Sequence, residues 1–420
     1  MNVQMPTSLV PDYVPADRVF QFDLYDRQGE LRVAEDLHDS LRLLLKEAPD
    51  VFWTPCNGGH WVVTRSDLIA EVLRDPAHFS TSRTELPRTT EHYVAIPINL
   101  DPPVHTAYRR VLMQYFSPRP INSMTDKIRN RARDLIDAVK DDGGCDFVDK
   151  IAIPLPVTIF MEMMGWPTER YREFRALVDT LFSGPDDESR SALLQTILGE
   201  LSQMIAERRE HPTDDLMSKF LEDEVEGRKL TAEEVLSMCF FLFAAGLDTV
   251  ANAASFLFRS LAMSPETQAR LAADPSLIDD FIKEGLRTAG VVNTPRLVAK
   301  EVTLDGVTMQ PDDIVVVMLP LVGMDDRIHA DPQVFDLDRK NHTNMLFGMG
   351  VHLCAGHHLA RLELKILAEE WVKAIPSFRI APDHRAVFRM GPVMALRDLP
   401  LTWPVDGANE TVRATVDVVG

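Results

Sequence analysis

Cys354 stands with His352, His357 and His358 inside the stretch FGMGVHLCAGHHLARLEL, residues 347 to 364, among three glycines. Thiol and imidazole at this density are metal-ligand types. A zinc site needs three or four ligands converging on a tetrahedral ion. No second cluster follows at finger-like spacing, and the adjacent His357 and His358 would point different ways on a helix. A buried structural cysteine in a turn accounts for Cys354 but not for Gly348, Gly350 and Gly356. Each glycine costs backbone entropy unless the turn needs φ > 0 or the close approach of another group. Leu359, Leu362 and Ile366 then begin an amphipathic helix, so Cys354 precedes a helix N-terminus, where the dipole favours a thiolate. A thiolate in a glycine-lined loop can lie against a large planar ligand. That suits axial ligation of haem iron, where thiolate donates electron density and favours O–O cleavage.

Two further groupings carry chemistry. In EGLR, Glu284 and Arg287 are three apart and share a helix face. In AAGLDTV, residues 244 to 250, three unusual residues fall inside an apolar helical run. Gly246 costs about 1 kcal/mol there relative to Ala. Asp248 must be paired or hydrated if it is buried. Thr249 can bond back to the preceding turn and loosen it.

The segment FGMGVHLCAG resembles the haem-binding signature of the cytochrome P-450 superfamily, Phe-x-x-Gly-x-x-x-Cys-x-Gly. The resemblance implies haem b with Cys354 as the iron's proximal ligand. Phe347 would shield the sulfur, and Gly350 and Gly356 would belong to the haem loop. EGLR resembles the family's Glu-x-x-Arg motif, which implies a structural lock of Glu284 and Arg287 with a later arginine, Arg339. AAGLDTV resembles the acid–alcohol pair above the distal haem face. Gly246 would leave room for O2, Thr249 would hydrogen-bond it and Asp248 would help relay protons. For the two haem carboxylates the matching positions are His105 and Arg109 in DPPVHTAYRR, Arg296 in TPRLV, and His352.

The resemblance runs nearly end to end and is closest to the bacterial camphor hydroxylase subgroup, through GGHWVVTR, IAIPLPVTIFMEMMGWP, AGLDTVAN and HHLARLE. It implies substrate contacts at Tyr93, Phe241, Ala244, Val292 and Val393, with the Tyr93 hydroxyl as a polar anchor. Val94, Ala95, Phe241, Ala244 and Thr294 depart from the camphor enzyme, so the pocket is reshaped. The implied activity is hydroxylation of an unactivated C–H in a small monoterpenoid, camphor- or 1,8-cineole-like; an ionone-like norisoprenoid is the near alternative. Electrons would come from a separate [2Fe–2S] ferredoxin and its reductase, with Arg109, Arg110, Lys340 and Arg361 as contacts. A haem-thiolate sensor would keep Cys354 but would not need Asp248 and Thr249.

These residues need elements to hold them. DKIRNRARDLIDAVKD, residues 126 to 141, reads as an amphipathic helix. Residues 231 to 266 open on a Thr cap with Glu three later and stop before Pro265, which predicts one helix of about 30 residues. HWVVTR (60 to 65), two short strands around Asp305-Gly306 within 300 to 320, a β-rich run after them, and LPLTWP (399 to 404) are the strand signals. The expected class is mainly α with a minor β portion. The expected unit is a single catalytic domain, with coil to about residue 18, a tail from about 405, and haem between the long helix and the cysteine-loop helix. The 420 residues are 45% hydrophobic and 26% charged, with a net charge of −20. That balance suits a globular protein and argues against a nucleic-acid partner. Residues 1 to 19 lack a basic n-region and an apolar h-region, and no run of 18 apolar residues occurs, so the expected setting is the cytoplasm, without a membrane anchor. The four cysteines show no pairing pattern, and a monomer is expected.

Overall fold

The computed structural model describes residues 10–27, 36–89, 92–183 and 186–405. Helices dominate, and the strands gather into one five-stranded sheet and several smaller ones. In the large sheet Val51–Thr54 pairs antiparallel with His60–Val63, which lies parallel to Ile314–Met318. Asn293–Val298 runs antiparallel to that strand, and Phe79–Ser80 closes the edge. Side chains alternate across a strand with period two. Phe52, Val62 and Val316 therefore face the main helical core, while Val51, Trp61, Val63, Val315 and Val317 build a second core on the other face.

The hairpin expected around Asp305-Gly306 forms from Val302–Leu304 and Val307–Met309. LPLTWP contributes Pro400–Thr402 to a three-stranded sheet with Arg379–Ile380 and Gly144–Asp146. The helix expected over 126–141 spans Thr125–Asp137 and buries Ile128, Ala132 and Ile136. Arg129 and Arg133 on it pair with Glu370 on the cysteine-loop helix, His357–Ala374. Residues 16–18 of the expected N-terminal coil form a short 3-10 turn. Residues 1–9 and 406–420 lie outside the described residues.

The long helix differs from expectation. Its start is as read: Thr231 accepts from the Glu234 amide while Glu234 accepts from the Thr231 amide, a reciprocal cap. It is not one helix, however. Ala232–Gly246 ends at Leu247, and Thr249–Ala262 begins after Asp248, whose φ of −125° and ψ of −44° leave the helical region. The Thr249 hydroxyl donates to the Ala245 carbonyl at 3.2 Å, the back-bonding that bends helices. Residues 232–262 are long and apolar enough to cross a membrane by composition. Here the two halves pack among other helices and strands in the main core.

The EGLR pair is fully buried. Arg287 holds Glu284 at 2.9 and 2.6 Å and donates onward to the carbonyls of Gly323, Pro332 and Val334. Arg339 Nε adds a bond to Glu284 at 2.9 Å and His342 one at 3.1 Å. Burial alone would raise the Glu284 pKa. The Arg287 guanidinium, the Asp336 amide and Arg339 reverse that, and the carboxyl ends below its usual range. The lock fixes the chain between the sheet and the cysteine loop.

Candidate functional site

A cavity of about 280 Å³ lies between the broken helix and the cysteine loop. Cys354 is half-buried at one wall. The loop is closed by the Cys354 amide donating to the Phe347 carbonyl at 2.8 Å. Gly348 and Gly350 both have φ of +70°, and a Cβ on Gly350 would meet the Leu73 carbonyl oxygen at 2.7 Å, so two of the three glycines are backbone requirements. Gly356 is not: its φ is −82°, and an added methyl would only reach ordinary contact with the Cys354 sulfur at 3.9 Å. A side chain there would instead stand beside the thiol, where another group must approach. Burial pushes the thiol pKa up, and the Gly356 amide, Arg109, Arg361 and the His357 amide pull against it. Arg361 lies 4.8 Å over the Phe347 ring.

One end of the cavity is cationic. Arg296 lines it, donating Nη1 to Thr294 Oγ1 at 2.7 Å and to the Pro295 carbonyl at 2.8 Å. Burial lowers its pKa to about 10. Arg109 also lines it and is tied to the Leu353 carbonyl. His352 bonds Thr81 Oγ1 at 3.2 Å through Nε2, and His105 packs behind it with ring centroids 4.3 Å apart. Burial, then His105, Arg296 and Arg109, push the His352 pKa down to about 3. The Nδ1 atoms of His105 and His352 are both buried without a partner among the described residues. Two orphaned imidazole nitrogens beside two guanidiniums call for acidic oxygens. Haem has two carboxylates at one edge and an iron that takes a thiolate, so the donor set fits it. Cys354 would hold the iron, and Arg109, Arg296, His352 and His105 the carboxylates. Gly350 sits at the outer rim of the loop and does not line the cavity.

Across from the thiol the wall comes from the helix break. Gly246 and Thr249 line the cavity, with Ala245 and Val250. Beside Gly246 the structure places the Phe160 ring: a Cβ there would lie 2.5 Å from it. The glycine therefore admits Phe160 against the helix. Asp248 does not line the cavity. It is fully buried behind the wall, held by Arg175 at 2.6 Å, Arg389 at 2.8 Å and Asn252 at 2.6 Å. Asp179 bridges Arg389 to Arg397, so the carboxylate ties the broken helix to helix Tyr171–Phe182 and to the strand Phe388–Arg389.

Of the expected substrate contacts, Phe241 and Val292 line the cavity. Ala244 and Val393 do not, although Val393 bridges to Val292. Tyr93 also lies off the cavity wall. Its ring packs edge-on against Phe240, with centroids 4.9 Å apart, and its hydroxyl faces Ser237 and Cys239. Burial raises its pKa to about 12. Ser237 sets this pose by accepting from the Ile96 amide and donating to the Val94 carbonyl, which docks the loop on the helix.

Glu363 was not singled out by the sequence reading. It lines the cavity from the cysteine-loop helix, is 2% exposed, and its Oε1 has no partner among the described residues. Burial raises its pKa to about 8. The signal was available: Glu363 is four residues after Leu359 and three before Ile366, a carboxyl on the apolar face. Among the described residues no three His, Cys, Asp or Glu side chains converge as ligands for a free metal ion.

The family model described as Cytochrome P450 matches residues 173–384. A probable cytochrome P450 127A1 of Sinorhizobium fredii is 32% identical over 95% of this chain and 98% of its own. The cytochrome P450 monooxygenase PikC of Streptomyces venezuelae is 30% identical over 83% of this chain and 86% of its own. The crystal structure of CYP101J2 superposes with a TM-score of 0.85 at 37% identity, covering 94% of this chain and 99% of that one. That of CYP101C1 does so at 0.84 and 32%, covering 94% and 100%. With a thiol at the head of a helix, a cationic end suited to two carboxylates and relatives along nearly its whole length, the chain belongs to the cytochrome P450 family, in the camphor hydroxylase-like subgroup, and is a haem b monooxygenase.

Proposed function

We propose that this single-domain, cytoplasmic monooxygenase hydroxylates an unactivated C–H of a compact monoterpenoid, camphor- or 1,8-cineole-like, with electrons from a [2Fe–2S] ferredoxin. The observation that carries the reading is the wall around Thr249. Ile98, Phe160, Phe241, Leu242 and Val292 give a small apolar surface, which rewards a hydrocarbon guest and excludes water. The likeness to CYP101J2 and CYP101C1 supports the subgroup, and the apolar wall supports the class of guest. For the electron donor, Arg110 and Arg361 are exposed near the cysteine loop and Lys340 follows the Glu284 lock, a cationic setting for an acidic partner.

The bound haem supplies O2 activation and the redox steps. The chain's own part is binding, orientation and proton control. Cys354 would hold the iron as a thiolate, with the Gly356 and His357 amides pulling against the burial that raises the thiol pKa. Arg109, Arg296, His105 and His352 would hold the haem carboxylates. Phe241, Leu242 and Val292 turn the guest towards the thiol axis. Thr249 holds an exchangeable proton on Oγ1 at the cavity wall, and Asp248 stands one residue behind it as the nearest carboxylate on the same chain segment.

The test is a titration of the ferric holoprotein with camphor, 1,8-cineole and an ionone, watched in the Soret band. A low- to high-spin shift with camphor or 1,8-cineole is expected. A shift with the ionone alone would move the substrate to the norisoprenoids, and no shift with any would overturn the reading.

A further inference from the structure

The cavity wall needs a polar group if it is to orient an oxygenated guest, and Tyr93 lies off that wall with its hydroxyl beside Ser237. Thr249, whose hydroxyl rests on the Ala245 carbonyl at 3.2 Å, is the group already given the proton role. Glu363 projects from the helix that follows the thiol, not from the broken helix opposite. Arg109, Arg296 and His352 belong to the carboxylate end. Thr294 remains. It lines the cavity two residues after Val292, and its oxygen accepts from Arg296 Nη1 at 2.7 Å. That bond fills a lone pair and leaves the hydroxyl proton without an acceptor among the described residues. Arg296, Arg109, His105 and His352 are the groups assigned to the haem carboxylates, and that assignment does not use the Thr294 proton.

We infer that Thr294, rather than Tyr93, is the residue that orients the substrate, by donating a hydrogen bond to a carbonyl or ether oxygen on an otherwise hydrocarbon guest. This rests on the proposed monoterpenoid reading and names the anchor within it. Arg296 makes the donor stronger, because a hydroxyl that accepts from a guanidinium is polarised towards giving its own proton. A neutral hydrogen bond of this kind discriminates modestly in binding and more sharply in orientation.

The experiment compares spin-state titrations of camphor and its deoxygenated isostere camphane in wild type, Thr294→Val, Thr294→Ser and Tyr93→Phe holoproteins, with haem content measured on each. Thr294→Val should weaken camphor about fivefold to tenfold and leave camphane unchanged. Thr294→Ser should restore camphor, and Tyr93→Phe should change neither. Equal weakening of both guests would make Thr294 a packing residue. Loss of haem content in Thr294→Val would assign its proton to a haem carboxylate. Selective loss of camphor in Tyr93→Phe would return the anchor to Tyr93. Each of these overturns the inference. A wild type that answers to none of the oxygenated guests fails in a different arm, and sinks the substrate reading itself.

Discussion

Glu363→Gln should make the holoprotein more stable at alkaline pH and remove a slope from its pH–stability curve. Glu363 is 2% exposed, its Oε1 is unpartnered, and burial is the sole cause lifting its pKa from 4.5 to about 8. No charged neighbour offsets the desolvation. The folded state therefore keeps a proton that the unfolded chain releases above pH 4.5. For such an acid the stabilising balance is intact below the unfolded pKa and is lost as pH rises through the window to about 8. At pH 7 the loss is about 1.4 kcal/mol per unit over some 2.5 units, or about 3 kcal/mol. Gln keeps the size and removes the titration. Urea unfolding of both proteins at pH 5, 6.5 and 8.5 measures the difference, which should grow from about 1 kcal/mol through about 3 to about 5 kcal/mol, on the order of 1 M in midpoint. Buried imidazoles such as His38 and His60, whose pKa values burial lowers, act in the opposite sense as pH falls. They are common to both proteins and cancel. Parallel curves for the two would refute the reasoning, because Glu363 would then not titrate in that window.

Gly246→Ala puts a methyl 2.5 Å from the Phe160 ring, and overpacking of this kind costs about 1–3 kcal/mol. The added change Phe160→Val should recover most of it, as a double-mutant cycle in thermal unfolding would read. Thr249→Ala removes the cavity-wall hydroxyl, whose proton rests on the Ala245 carbonyl. O2 consumption should continue while product falls and peroxide appears, and full coupling would deny Thr249 its proton role.

What was legible in the sequence was local. The cap Thr231–Glu234, the Glu284–Arg287 pair and the Cys354 turn are each set by residues within a few positions, and the structure forms all three. The helix break was not legible as a break. Gly246, Asp248 and Thr249 marked the place, but the helix opens there because Asp248 is gripped by Arg175 and Arg389, from elements far along the chain. Tyr93 shows the same limit. Its loop is docked by Ser237, and nothing near residue 93 says which side of the helix its ring will take. Thr294 was noted only as a departure, since its free proton appears once Arg296 is placed on its oxygen.

The two buried carboxyls near the cavity show how one residue class is put to opposite use. Asp248 is wholly enclosed, and two guanidiniums and an amide compensate it. A buried charge survives only with such partners. Glu363 is nearly as enclosed and has none, so it holds its proton instead. The first arrangement holds while helix Tyr171–Phe182 and the strand at Arg389 stay in place, and moving either would take away one of its guanidiniums. The carboxylate behind Thr249 is thus coupled to the elements around it, whereas the Glu363 acid answers only to pH. Partners alone set the two carboxyls apart. Here the separation follows from which helix each residue sits on and what packs across from it.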